Sequence, residues 1–356
     1  MRILHIAPYN TAGVPITFVN AERLLGHDSR LVTLHRDKRG YQEDISLELP
    51  MWQPEIVAKL KKICYPKSAL VQNTQLAVPG KIPPVWRPAN RLAGLLIAIR
   101  DAVNKPIVER NIKKYRLDAF DVYQLDGGHG FLKHDVFLPK WHSEGKKIIC
   151  CYLGSDLRRR GMMPGIDDVS DLNLTLEWDH LKLHPNMRHV YFPFDNSSYK
   201  MTEHPVHSKI RIGHSPSNRA AKGSDRIIAA VKNLSAKYPV ELVLIEGLPY
   251  VRALEMKFTC DIGIDQLGEL GYGISALEWM AMGIPVASSI APAMKEAGVE
   301  HPIISIDERD IEIKLAKLIE DRDYRLRVGL ESRRWVELNH DAKEIVIQIH
   351  TMAGLI

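Results

Sequence analysis

At 356 residues the chain is longer than one hydrophobic core usually serves, so two domains of roughly 150 to 200 residues are expected. Its 45% hydrophobic, 26% charged and 7% aromatic residues exclude a disordered, fibrous or repetitive chain. The net charge of +5 is unevenly spread: positions 51–116 carry 13 basic and 3 acidic side chains, interleaved with Trp52, Tyr65, Trp86 and the apolar run Leu92–Ile99.

The first ten residues hold too short an apolar stretch for a secretory signal, and Leu92–Ile99 falls far short of the ~20 residues of a spanning helix. A soluble, cytoplasmic protein is expected. Cys64, Cys150, Cys151 and Cys260 show no C-x-x-C spacing, which favours free buried thiols over a zinc site or a disulfide framework.

The chain opens as strand, turn, helix, strand. Ile3–Ala7 reads as the first strand, Pro8, Gly13 and Pro15 as the turn, about Thr17–Leu25 as a helix, and Arg30–Leu34 as the second strand. This alternation builds a parallel sheet. Gly13 lets the backbone approach a ligand where the first strand meets its helix; without a G-x-G-x-x-G, a purely structural turn is an equal reading. After the basic segment come the strand Asp121–Leu125, the turn Asp126-Gly127-Gly128-His129-Gly130, a helix to about Glu144, and the strand Lys147–Leu153 followed by Gly154-Ser155-Asp156. Ligands of open α/β sheets gather outside the carboxyl ends of strands, which makes Asp126, His129 and Asp156 candidates for an acceptor side. His129 reads more readily as a plain surface histidine of the turn, and Asp156 equally as a partner for Arg158 and its neighbours.

A polar stretch, Asp195–His207, reads as an interdomain linker. The second α/β series then runs through the strand Ile210–His214, helix Ser224–Ala236, strand Glu241–Ile245, helix Tyr250–Lys257, strand Asp261–Asp265, helix Ile274–Met282 and strand Pro285–Ser288. From Ile311 to Ile356 the pattern is helical and is expected to return to the first domain. The expected organisation is α/β: two Rossmann-like domains facing one cleft, residues 1–200 with 340–356 forming the first and 201–339 the second.

The segment from Asp265 to Val286 is the most informative. A strand ends, glycines bring the backbone close to whatever binds, and a helix begins with its free N–H groups facing the loop, a ready site for a diphosphate. Gly271, Tyr272, Gly273, Ile274 and Ser275 form that entrance; Glu278, about one turn further in, can accept hydrogen bonds from a ribose. Arg219 and Lys222, between the second domain's first strand and first helix, add cations where a leaving diphosphate gains charge. Glu246, Asp265 and Glu269 complete the expected donor side. Asp321-Arg322-Asp323 imitates a D-x-D metal site but lies in a charged helical stretch, so no metal site is expected.

On Gly271-Tyr272-Gly273 with Glu278, the run Met280–Val286, Ser217–Asp225 around Lys222-Gly223, and Gly154-Ser155-Asp156-Leu157-Arg158, the sequence resembles the retaining nucleotide-sugar glycosyltransferases of glycosyltransferase family 4. The resemblance implies the two-Rossmann-domain GT-B fold, with a lysine on the donor diphosphate, here Lys222, and a glutamate on the ribose, here Glu278. It further implies a retained anomeric configuration and a contact of His129 with the transferred sugar or the acceptor. Leu270 and Ser217 stand where the family carries a glutamate and an arginine, with Glu269 and Arg219 nearby.

The partners expected are a nucleoside diphosphate sugar as donor substrate and a glycan or lipid-linked acceptor, with no separate cofactor. The basic segment 51–116 suits an anionic membrane surface, an acidic glycan or a solvated face. No nucleic-acid module accompanies the charge, so nucleic acid is not expected. Two rival readings remain: a nucleotide-sugar epimerase of the same architecture, and a non-catalytic nucleotide-binding subunit of a transferase complex.

Overall fold

The computed structural model describes residues 1–37, 39–50, 83–154, 156–201, 208–268 and 271–356. Residues 51–82 of the basic segment, part of the expected linker, and Ser155, Glu269 and Leu270 lie outside the described residues. The chain forms two compact units, Met1–Tyr191 with Lys343–Ile356, and Phe192–Ala342.

The first unit is built on seven strands: β1 (Arg2–Ala7), β2 (Asp28–Thr33), β3 (Ile45–Ser46), β4 (Val122–Asp126), β5 (Lys147–Tyr152), β6 (Leu172–Thr175) and β7 (Met187–His189). They pair in parallel in the order β3-β2-β1-β4-β5-β6-β7. Every residue of β4, and every residue of β5 after Lys147, is buried, as expected of strands covered by helices on both faces. The order reverses between β1 and β4, so the turns after these strands sit at the topological switch point.

The apolar run from Leu92 belongs to a long helix, Arg91–Tyr115, capped by the Asn90 side chain, which accepts from the Ala93 amide at 2.8 Å. Ala93, Asp101, Asn104, Val108 and Ile112 form its buried face, while Leu92, Leu95, Ile99 and Val103 are exposed on the opposite side.

The second unit has five parallel strands: β8 (Ile210–His214), β9 (Val240–Leu244), β10 (Ile262–Ile264), β11 (Val286–Ser288) and β12 (Ile304–Ser305), ordered β12-β11-β10-β8-β9. Its switch point falls between β8 and β10. The helix Ile274–Ala281 lies on this sheet through the fully buried Trp279, whose ring fills the space left by glycines in β8 and β10. A Cβ on Gly263 would come within 2.5 Å of the Trp279 ring. The ring therefore fixes how close that helix, and its amino end, stands to the sheet.

The polar stretch after Asp195 is not a free linker where it is described. Asn196–Ser198 forms a short 3-10 turn capped by Asp195, and Arg333, on the helix Arg322–Asn339, donates to the Tyr199 carbonyl at 2.8 Å. The helical tail divides into Ile311–Glu320, Arg322–Asn339 and Ala342–Met352, the last packed with the first unit.

Candidate functional site

In the second unit the loops after β8 and β10 converge. Asn218 caps the short helix Arg219–Lys222, its side chain accepting from the Ala221 amide at 3.0 Å. Gly223 ends that turn at φ +64°, and a Cβ there would stand 2.2 Å from the Leu267 carbonyl, so only glycine allows this approach. The Leu267 amide then donates to the Lys222 carbonyl at 2.9 Å and ties one loop to the other.

The result is a fixed geometry around Asp265. Lys222 Nζ donates to Asp265 Oδ1 at 2.7 Å, and the Gly273 amide donates to Asp265 Oδ2 at 3.0 Å. Asp265 is buried, whereas the Lys222 side chain keeps 18% of its surface. Among the described residues, one of the three ammonium N–H bonds is used within the protein, which leaves the others for an anion. Gly273 lies directly before the Ile274–Ala281 helix, whose first N–H groups lack intrahelical acceptors. An ammonium beside a helix start is suited to a phosphate.

His214, at the end of β8, is buried and bonded through Nδ1 to the Ile264 carbonyl at 2.9 Å and through Nε2 to Ser224 Oγ at 2.8 Å. Burial lowers its pKa, so it braces β8 against β10 as a neutral ring.

The remaining donor-side candidates take different places. Arg219 is exposed and forms a two-armed pair with Glu246, at 2.7 and 2.6 Å. Tyr272 points into the unit's own packing: its hydroxyl meets His340 Nε2 at 3.2 Å and its ring packs edge-on against Trp335. Gly271 offers its carbonyl to the buried Gln266 amide. Glu278 is buried and its Oε2 is held by the ammonium of Lys257, which also donates to Ser275 Oγ at 2.8 Å. Lys257 has no motif of its own; only its place at the end of the Tyr250–Lys257 helix brings it to Glu278, 21 positions away.

In the first unit, Asp126 ends β4 and is held by His5 Nδ1 at 2.9 Å and Gln124 Nε2 at 2.9 Å. His5 Nε2 meets Glu22 at 3.0 Å, and Glu22 also binds Ser29 Oγ and, at 3.3 Å, His350 of the last helix. Burial alone would lower the His5 pKa, but the carboxylates of Glu22 and Asp126 outweigh it and raise the group to about 10. Burial works upward on Glu22, yet His5 and the hydrogen bonds from His350 and Ser29 bring it down to about 2.

His129 is buried, with Nδ1 2.5 Å from the Gly130 carbonyl; burial, assisted by Lys133 and Arg160, drives its pKa well below 6.5 and leaves the ring neutral. Arg160 braces the same turn by donating to the Gly127 carbonyl at 2.5 Å. Gly13, at φ +73°, begins the helix Val14–Leu24 against the Tyr41 ring. Asp156 is engaged by its own turn, accepting from the amides of Leu153, Gly154 and Leu157 at 2.8 to 3.0 Å. The arginine that follows it, Arg158, reaches instead to Asp179 and Glu177 beyond β6. Burial pushes Glu177 up to about 7 despite Arg158. The sequence carried no sign of this last group, because Arg158 and Glu177 are joined only across adjacent strands.

Among the described residues no set of three His, Cys, Asp or Glu side chains could hold a metal ion, and Cys150, Cys151 and Cys260 are free and buried.

No family model matches the sequence, and no curated protein matches it. Solved structures do share its fold. HepE from Anabaena, solved in complex with UDP and glucose, is 12% identical with a TM-score of 0.57, covering 100% of both chains. Sucrose-phosphate synthase from Thermosynechococcus elongatus is 11% identical with a TM-score of 0.60, over 100% of this chain and 99% of that one. UDP-GlcNAc 2-epimerase from Neisseria meningitidis, bound to UDP-GlcNAc, is 11% identical with a TM-score of 0.51, over 99% and 100%. At these identities the likeness is one of fold: the chain has the α/β architecture of the GT-B class.

Proposed function

We propose that the chain is a glycosyltransferase that moves a sugar from a nucleoside diphosphate donor held by the second unit to an acceptor held by the first. The observation that carries this reading is the Lys222–Asp265–Gly273 arrangement at the β8/β10 switch point. As the sugar–phosphate bond breaks, negative charge grows on the diphosphate, and a preorganised ammonium beside the first N–H groups of the Ile274 helix is complementary to that charge. Asp265 holds the ammonium in position before the donor arrives. No metal is needed in this scheme. The resemblance to family 4 supports a retained anomeric configuration and a ribose contact at Glu278.

The acceptor is a glycan or a lipid-linked sugar at the turns that carry Gly13, Asp126, His129 and Asp156. The exposed stripe Leu92, Leu95, Ile99 and Val103, continued along the same helix by the exposed Arg110, Lys113 and Lys114, supports attachment to an anionic membrane surface. Flotation with vesicles rich in anionic lipid tests this: the protein floats at low salt, and replacing Leu95 and Ile99 by serine leaves it in the soluble fraction.

Titration with UDP and GDP, followed by turnover of the matching sugar nucleotides with and without acceptors, tests the main reading. Acceptor-dependent release of the diphosphate supports a transferase. Donor conversion without any acceptor supports an epimerase, the activity of one fold neighbour. Nucleotide binding with no turnover supports a non-catalytic subunit, a reading favoured by Ser217 and Leu270 standing in place of the family's charged residues.

A further inference from the structure

Glu278 projects from the Ile274–Ala281 helix among the buried side chains of Leu277, Trp279 and Met280, where an ionised carboxylate without a partner is costly. Its partner is Lys257, itself 3% exposed, with its ammonium 4.7 Å from the centre of the Trp279 ring. Three groups thus fix the ammonium: the carboxylate, the Trp279 face and the hydroxyl of Ser275.

The hydrogen-bond directions matter. Lys257 takes up Glu278 Oε2 only; among the described residues Oε1 has no hydrogen-bond partner, and the side chain retains 5% of its surface. Lys257 also donates to Ser275 Oγ, and a hydroxyl that accepts from an ammonium must turn its own proton elsewhere. One lysine therefore leaves, within one helical turn, a carboxylate oxygen that can only accept and a hydroxyl set to donate. A vicinal diol, whose hydroxyls both donate and accept, is complementary to such a pair.

We infer that Lys257 is a positioning residue for ribose recognition: it occupies the inner sides of Glu278 and Ser275 so that their outer sides are presented to the 2′- and 3′-hydroxyls of the donor nucleotide. This rests on the donor site proposed above. Without Lys257, the Glu278 carboxylate loses the ammonium that holds Oε2 and turns toward water.

The test compares UDP with 2′,3′-dideoxy-UDP, and GDP with 2′,3′-dideoxy-GDP, by calorimetric titration of the full chain. The unaltered protein is expected to prefer the ribose form by roughly tenfold or more, the usual size of a hydrogen bond to a charged group. Lys257→Met brings that preference close to unity while the dideoxy nucleotide binds as before, since the phosphate contacts are untouched; Lys257→Arg restores part of it. A merely structural pair would instead weaken both nucleotides equally. Ser275→Ala, at a half-exposed position, carries the test if Lys257→Met does not fold, and is expected to lower the preference severalfold. An unchanged preference in a folded Lys257→Met or Ser275→Ala protein overturns the inference and leaves the donor site standing. Failure of the unaltered protein to bind either nucleotide overturns both.

Discussion

Lys222 and Asp265 lie 43 positions apart in the chain and 2.7 Å apart in space, joined across the switch point of the second sheet. Because the other oxygen of Asp265 accepts the Gly273 amide, one buried carboxylate sets both the ammonium and the entrance of the Ile274 helix. A phosphate arriving there meets groups already in place, so little ordering is required on binding.

Lys222→Ala removes the ammonium from this arrangement. Nucleoside diphosphate affinity is expected to fall by about 1.5–3 kcal/mol, the range for hydrogen bonds to charged groups, while nucleoside binding without phosphates stays unchanged. Calorimetric titration with UDP or GDP and the matching nucleosides checks this; equal loss for nucleotide and nucleoside rules out a phosphate role.

The His5–Glu22 pair predicts a bounded pH range of stability for the first unit. His5 is raised from 6.5 to about 10, so its contribution is complete below 6.5 and is lost as pH climbs toward 10. Glu22 is lowered from 4.5 to about 2, so its contribution is complete above 4.5 and disappears as pH falls toward 2. Both describe one ion pair, and the plateau lies between about pH 4.5 and 6.5. Glu22→Gln leaves a buried charged histidine with one partner fewer and is expected to cost about 3–5 kcal/mol on the plateau. Thermal melting as a function of pH should show the unaltered protein declining on both sides and the variant with a flatter profile.

Glu177 has the opposite sign. Burial raises it from 4.5 to about 7, so its carboxylate opposes folding increasingly above pH 4.5 and fully above pH 7. Glu177→Gln is expected to stabilise the protein by about 1–3 kcal/mol at pH 8 and to have little effect near pH 4.5. A variant that is less stable at pH 8 would show that Arg158 depends on this carboxylate as well as on Asp179.

Gly263→Ala tests the seat of the Ile274 helix. The added methyl would press on the Trp279 ring, and overpacking of this kind costs about 1–3 kcal/mol. Since the same ring sets the height of the helix entrance, nucleotide affinity should fall together with the melting temperature. Full affinity in a destabilised protein would separate the two.

Much of the scaffold was legible in the sequence because periodicity reports burial. Ile210–His214 and Tyr250–Lys257 occur with the bounds that pattern alone gave them. The strands Ile45–Ser46, Met187–His189 and Ile304–Ser305 escaped notice because two or three residues are too few for alternation to register, and Leu172–Thr175 because Asn173 interrupts it. Trp86 and Leu92–Ile99 suggested an interface, but only the burial of Ala93, Asp101 and Val108 shows which side of that long helix is turned inward.

What the sequence determined by itself was local: where strands and helices alternate, where glycine allows the chain to turn, and that Lys222 and Asp265 lie in the loops after strands, Gly273 before a helix and Glu278 about one turn into it. Only the tertiary structure decided which charges neutralise which. It gave Asp265 to Lys222, Glu278 to Lys257, Arg219 to Glu246 and Asp156 to its own turn. The physical reason is range: dihedral preference and hydrophobic periodicity act over a few residues, whereas an ion pair depends on distance in space, which is set by the order in which strands join the sheet.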